Sequence, residues 1–319
     1  MSAAPEPLDE FEQIARLYRP LTGGAPEALD LLDDAAVIPS RPGFDLVITK
    51  DAVVEGVHFL AGDPLDLVAR KLLRVNLSDL AAMGAERYGY FLAVAWPPPC
   101  GWPERQAFAD GLKADGEAFG AVLLGGDTVS TPGPLTASLT LLGWVPAGCA
   151  VQRGGARPGD ILMVSGPIGD GWLGLRAARG AVDDPDGYLA GRYRLPSPRL
   201  DLITALRDQA SAAADVSDGL IADAGHIATA SGVGLVLHLD RMPLSEAALA
   251  WLAEQPDRLE ALRRLASGGD DYEIVCTAPP EAAAALGLTV IGEVVAGQGV
   301  EVRLEGARID PGPGGWKHR

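Results

Sequence analysis

The chain has 319 residues, 48% hydrophobic and 22% charged, the make-up of a globular protein with length for about two domains. Its 26 basic and 43 acidic residues leave a net charge of −17, which disfavours nucleic acid and anionic membranes as partners. Three scattered cysteines, no run of about 18 apolar residues and an N-terminus without an apolar leader argue against a disulfide framework, a zinc site, a membrane span and export. A cytoplasmic protein is expected.

In chain order, Leu8, Phe11, Ile14, Ala15 and Tyr18 recur at helical spacing and predict a short first helix, followed by a Gly/Pro-rich loop from Pro20 to Pro26. Apolar runs at 46–48, 91–95, 122–124 and 135–145 predict strands. The segments 64–83 and 102–119 have the length and period of helices. Pro146-Ala147-Gly148 marks a break, giving an N-terminal domain of residues 1–148 and a C-terminal domain of residues 149–319. The second half predicts helices at 171–179, 198–208 and 220–230 and strands at 161–164, 235–239, 272–276 and 288–292. The fold class is therefore α/β, of mixed α+β character.

Aspartates cluster at the ends of these segments: Asp33-Asp34, Asp51, Asp79, Asp127, Asp215, Asp218 and Asp270-Asp271. Hard cations such as Mg²⁺ take oxygen ligands and are commonly held by one or two carboxylates plus substrate phosphates, so this scatter suits metal–nucleotide binding. Taken singly, each aspartate fits equally well as an N-cap or turn residue. Asp79 lies in Asn76-Leu77-Ser78-Asp79, beside the apolar stripe of its helix, where a carboxylate needs a partner. In Asp215-Val216-Ser217-Asp218-Gly219 the acids stand at a helix entry whose free N–H groups could hold phosphate, although Ser217 or Asp218 could equally be the N-cap. Gly125-Gly126-Asp127-Thr128 follows a predicted strand, and its glycines would let a phosphate approach the backbone.

None of the four lysines is followed by Ser or Thr, so the chain contains no P-loop; the dinucleotide fingerprint and the protein-kinase catalytic loop are absent as well.

With Val54-Glu55-Gly56-Val57-His58-Phe59, Arg153 to Asp160, Ser267 to Glu273 and Trp316-Lys317 added, these segments in order resemble the thiamine-monophosphate kinases, within the superfamily of aminoimidazole ribonucleotide synthetase and selenophosphate synthetase. The resemblance implies a two-domain subunit and a homodimer whose N-terminal domains share a β-barrel-like interface. It implies transfer of phosphate from ATP to thiamine monophosphate, assisted by several Mg²⁺ ions. Asp34, Thr49, Asp51, Asp79, Asp127, Asp215 and Asp218 are then expected as metal ligands. Gly126, Asp127, Arg153 and Ser217 are expected at ATP, and His58, Asp270 and Trp316 at thiamine monophosphate. No protein nucleophile or base is expected, because a phosphate monoester, with a second pKa of about 6, is already largely ionised near neutral pH.

The chain departs from the family pattern in three places: Asp30-Leu31-Leu32 stands for Gly-Ile-Gly, Lys50 for a hydroxyl residue, and Asp270 for Glu. Lys50 next to Asp51 predicts an ammonium near the phosphates. Its bland alternative is a solvent-facing side chain. Another ATP-using enzyme of the superfamily and a non-catalytic nucleotide or cation-binding regulator are the alternatives to the kinase.

Overall fold

The computed structural model of the chain describes residues 10–312. They form two compact units, one comprising the chain up to Leu77 together with Arg87–Trp144, the other Ser78–Glu86 together with the chain from Val145. No helix among the described residues is long and apolar enough to cross a membrane.

In the first unit, helix α1 (Glu10–Gln13) runs into a π-helical turn (Ile14–Tyr18) and a 3₁₀ turn (Arg19–Thr22). The wider π turn displaces the expected stripe: Leu17 and Tyr18 are buried while Phe11 is 80% exposed. The Arg19–Thr22 turn occupies part of the expected Pro20–Pro26 loop, and a second 3₁₀ segment (Pro26–Leu31) begins at that loop's expected end. The strands are β1 (Phe44–Val54), β2 (Glu86–Trp96), β3 (Val122–Ser130) and β4 (Thr136–Pro146), with helices α2 (Leu65–Ala82) and α3 (Trp102–Phe119). They form one sheet in the order β1-β4-β2-β3, with β2 and β3 parallel. Val68, Leu72 and Val75 give α2 a buried stripe, and the buried Asp115 of α3 accepts from Arg70 Nε at 2.9 Å and Arg74 Nη2 at 3.1 Å. Two arginines around one carboxylate compensate the cost of burying it.

The second unit carries β5 (Ile161–Val164), β6 (Ala212–Asp215), β7 (Gly234–His238), β8 (Ile274–Ala278), β9 (Thr289–Val295), β10 (Gly299–Leu304) and β11 (Ala307–Ile309). Their order is β11-β10-β7-β9-β5-β8-β6, and every neighbouring pair is antiparallel except β10 and β7. The helices are α4 (Asp170–Ala178), α5 (Tyr188–Arg194), α6 (Ile203–Gln209), α7 (Leu220–Ser231), α8 (Glu246–Ala253), α9 (Arg258–Ser267) and α10 (Ala283–Leu286). Two apolar cores cover the two faces: Leu162 and Val164 of β5 pack with α4, α7 and α9, while Met163 packs with α6 and α10. Burial on both faces is why these strands read as continuous apolar runs.

Candidate active site

In the first unit, Asp33, Asp34, Leu31 and Leu32 face the 124–128 stretch of β3 across a cavity of about 590 Å³, whose apolar wall includes Tyr18, Phe91 and Leu123. The cavity brings Asp34, Gly126 and Asp127 together. Gly-Gly-Asp is not the expected loop after a strand, because β3 continues through it to Ser130. A bulge at Tyr90/Phe91 shifts the register so that Gly126 pairs with Leu92 and Asp127 with Ala93. A Cβ on Gly126 would stand 1.9 Å from the Leu92 carbonyl oxygen, so the strand pairing itself requires glycine there. Before Asp34, Leu29, Asp30 and Leu31 all have positive φ, at 49°, 57° and 55°.

Thr49 and Asp51 project from one face of β1, with Val47 and Val53 buried on that same face. Lys50 points the other way and donates to Thr140 Oγ1 of β4 at 3.4 Å. The expected ammonium beside Asp51 is thereby corrected by the pleat, since neighbouring residues of a strand project to opposite faces. His58 closes the turn after β1: its Nδ1 accepts from the Val54 N–H at 3.1 Å, which places a neutral ring's proton on Nε2.

In the second unit, Asp215 ends β6 and is buried, opposite Ile274 at the start of β8. The pairing continues irregularly beyond the strands: Tyr272 N–H donates to Val216 O at 2.8 Å and Asp270 N–H to Ser217 O at 2.9 Å. Asp215, Ser217, Asp218 and Asp270 therefore lie on two adjoining segments. Their approach depends on Gly219 and Gly269, where a Cβ would meet Ser267 C at 2.7 Å and Ser217 O at 2.4 Å. Asp270 and Tyr272 both have positive φ, and the Tyr272 hydroxyl lies 3.3 Å from Asp270 Oδ1.

The N-cap of α7 is Gly219, so neither Ser217 nor Asp218 fills that role. The N–H groups expected to be open to a phosphate are also taken: Asp223 Oδ2 accepts from Ser217, Asp218 and Gly219 at 3.0–3.1 Å. Burial, then the neighbouring Asp218 charge, push the Asp223 carboxyl up to about 7 against the pull of those amides. Arg153 is exposed, and its charge acts on Asp223 in the opposite direction. Asp79 lies half-buried in the last turn of α2. Trp316 lies outside the described residues.

Two models of AIR synthase related proteins match the chain, the N-terminal domain at residues 32–145 and the C-terminal domain at residues 157–305. The thiamine-monophosphate kinase of Caulobacter vibrioides is 59% identical over 99% of this chain and 93% of its own length. The chain belongs to the thiamine-monophosphate kinase family. A solved thiamine-monophosphate kinase from Stenotrophomonas maltophilia is 39% identical, with a TM-score of 0.81 over 94% of this chain and 98% of that one. AaThiL complexed with AMPPCP and TMP is 31% identical, with a TM-score of 0.79 over 90% and 91% of the two chains.

Within this member of the family, sequence reasoning missed the support beneath the Asp270 segment. Glu273, wholly buried, accepts from Arg199 Nε at 2.6 Å, Arg199 Nη2 at 2.7 Å, Arg192 Nη2 at 3.0 Å and Ser165 Oγ at 2.6 Å. The Asp271 carboxylate accepts from the Gly169 and Gly171 N–H groups at 2.8 and 2.9 Å. Asp223 was missed too: it stands four residues after the N-cap Gly219, one beyond the position at which a capping box carries its acid.

Proposed function

We propose that the chain transfers the γ-phosphate of ATP to thiamine monophosphate, giving ADP and thiamine diphosphate. The 59% identity to a curated kinase over nearly the whole chain carries this reading. A related structure is described with AMPPCP and TMP, the two ligand types the reaction needs.

The proposed metal set is Asp34, Thr49, Asp51, Asp79, Asp127, Asp215 and Asp218. All seven offer oxygen donors, which fits Mg²⁺. Bound there, Mg²⁺ would neutralise the phosphates of two anionic substrates that a chain of charge −17 otherwise repels. The chain's own work is to place and orient. Gly126 and Asp127, rigid in β3, with Arg153 and Ser217, would hold ATP. His58, Asp270 and Trp316 would hold thiamine monophosphate, the indole face suiting a cationic thiazolium. The acceptor phosphate is already ionised and needs no base.

We place the enzyme in the cytoplasm, which the three free thiols fit, and as a homodimer. β1 and β3 stand at opposite edges of their sheet, so Asp51 and Asp127 are three strand spacings apart, on the order of 14 Å along the sheet, beyond what one ion bridges. Joining β1 of one subunit to β3 of another would close a barrel and unite the two ligand sets. Leu46 and Ile48 of β1, 40% and 58% exposed, supply apolar surface for such an interface.

A coupled ADP-release assay over a panel of phosphorylated metabolites tests the proposal. Thiamine monophosphate should give the highest kcat/KM, with an absolute Mg²⁺ requirement. Asp127→Asn and Asp215→Asn should each lower kcat by orders of magnitude with the fold retained. ATP binding without turnover, or a better acceptor elsewhere in the panel, overturns it.

A further inference from the structure

Asp218, a proposed cation ligand, does not stand alone. Helix α7 sets Asp223 and His226 three residues apart, hence on one face, and turns that face toward Asp218. One carboxylate oxygen from each aspartate and one ring nitrogen of His226 all lie within 4.8 Å of one another. The three amides on Asp223 Oδ2 fix the orientation of that buried carboxylate, the kind of support that orients metal ligands. Capping accounts for Asp223 at the loop amides; it does not account for an imidazole placed beside both carboxylates.

From this geometry we infer that Asp218, Asp223 and His226 form a mixed nitrogen–oxygen cation site that takes Mn²⁺, Co²⁺ or Zn²⁺ more tightly than Mg²⁺. The chemistry follows from the donors. Mg²⁺ prefers oxygen ligands in a strict octahedron and dehydrates reluctantly, whereas imidazole suits the later divalent ions, whose affinities rise along the Irving–Williams order. Two carboxylates match the dipositive charge. The inference rests on the reading of Asp218 as a cation ligand, and adds that the ion there is not held by oxygen alone.

The test uses the untagged full-length chain without nucleotide. Co²⁺ binding is followed by visible absorption, Mn²⁺ by electron paramagnetic resonance, and Mg²⁺ by competition against Mn²⁺, for wild type, His226→Ala, His226→Gln and Asp218→Asn. His226 is exposed, so its variants should fold, and circular dichroism checks this. Loss of the nitrogen donor should weaken Co²⁺ by about tenfold or more and change its spectrum, while Mg²⁺ affinity moves about twofold at most. Unchanged Co²⁺ affinity and spectrum in both His226 variants overturn the inference. If Asp218→Asn still abolishes binding in that case, Asp218 remains a ligand and only the nitrogen donor is lost. If no variant alters binding while the kinase assay succeeds, both the site and the role of Asp218 fall and the kinase function stands.

Discussion

The backbone N–H of Asp270 donates to the carbonyl oxygen of Ser217 at 2.9 Å, so the residue proposed at thiamine monophosphate and the residue proposed at ATP are neighbours on paired backbone. Gly269 makes this possible. It has φ +74°, and a Cβ there would lie 2.4 Å from Ser217 O. Gly269→Ala should therefore separate the two segments and raise KM for both substrates together. Gly187→Ala is the control: it imposes the same left-handed strain at φ +68° with nothing within 4 Å of the new Cβ. Steady-state kinetics showing a rise for one substrate alone in Gly269→Ala would contradict the coupling.

Lys50, where the family resemblance implies a hydroxyl residue, faces Thr140 on the side of β1 opposite Asp51. Its charge is not aimed at the proposed metal ligands. Lys50→Thr is expected to leave the Mg²⁺ dependence of turnover unchanged. A shift of the Mg²⁺ titration to higher free metal would show that the ammonium reaches the phosphates after all.

Leu29, Asp30 and Leu31 form a run of non-glycine residues in the left-handed region, and the family resemblance implies Gly-Ile in place of Asp30-Leu31. Each such residue stores backbone strain of order 1 kcal/mol. Arg19 Nε donates to the carbonyl oxygen of Asp30 at 3.0 Å, a bond that any residue at position 30 retains. Asp30→Gly should accordingly be neutral to stabilising, by up to about 1 kcal/mol, offset in part by the greater freedom of glycine in the unfolded chain. Denaturant unfolding measures this, and a clear loss of stability would show that the Asp30 side chain contributes more than its backbone costs.

Helix α3 was legible to the residue, because its apolar period runs between Gly101 and Gly120, the latter an αL C-cap at φ 69°. β3 was cut short because two glycines look like a loop; only the partner strand reveals that Gly126 is there for pairing with Leu92. β6, Ala-Ala-Ala-Asp, has no alternation to read, since all four residues are buried. Asp34 and Asp127 were separately visible as acids at element ends, but their shared cavity depends on the fold-back of the 29–36 segment over β3. The Arg192–Arg199–Glu273 node joins residues up to 81 positions apart, which no local pattern encodes.

Asp271 supplies a pH prediction. Burial pushes its carboxyl up to about 8, against the pull of the Gly171 and Gly169 amides and of Arg192, with Asp170 adding to the rise. In the unfolded chain the same group titrates near 3.9. The folded state therefore binds a proton that the unfolded state releases between about pH 4 and pH 8. The stability this provides is full below pH 4 and is lost as pH rises through 8. Asp271→Asn cannot titrate, so position 271 adds no pH dependence to its stability, and its amide oxygen can accept from only one of the two N–H groups, so it should be the less stable protein at acid pH. Melting temperatures from pH 5 to 8.5 should thus fall more steeply in wild type than in Asp271→Asn, the gap being widest at the acid end. Parallel curves for the two proteins would mean that Asp271 is ionised throughout, held by its two amides and Arg192.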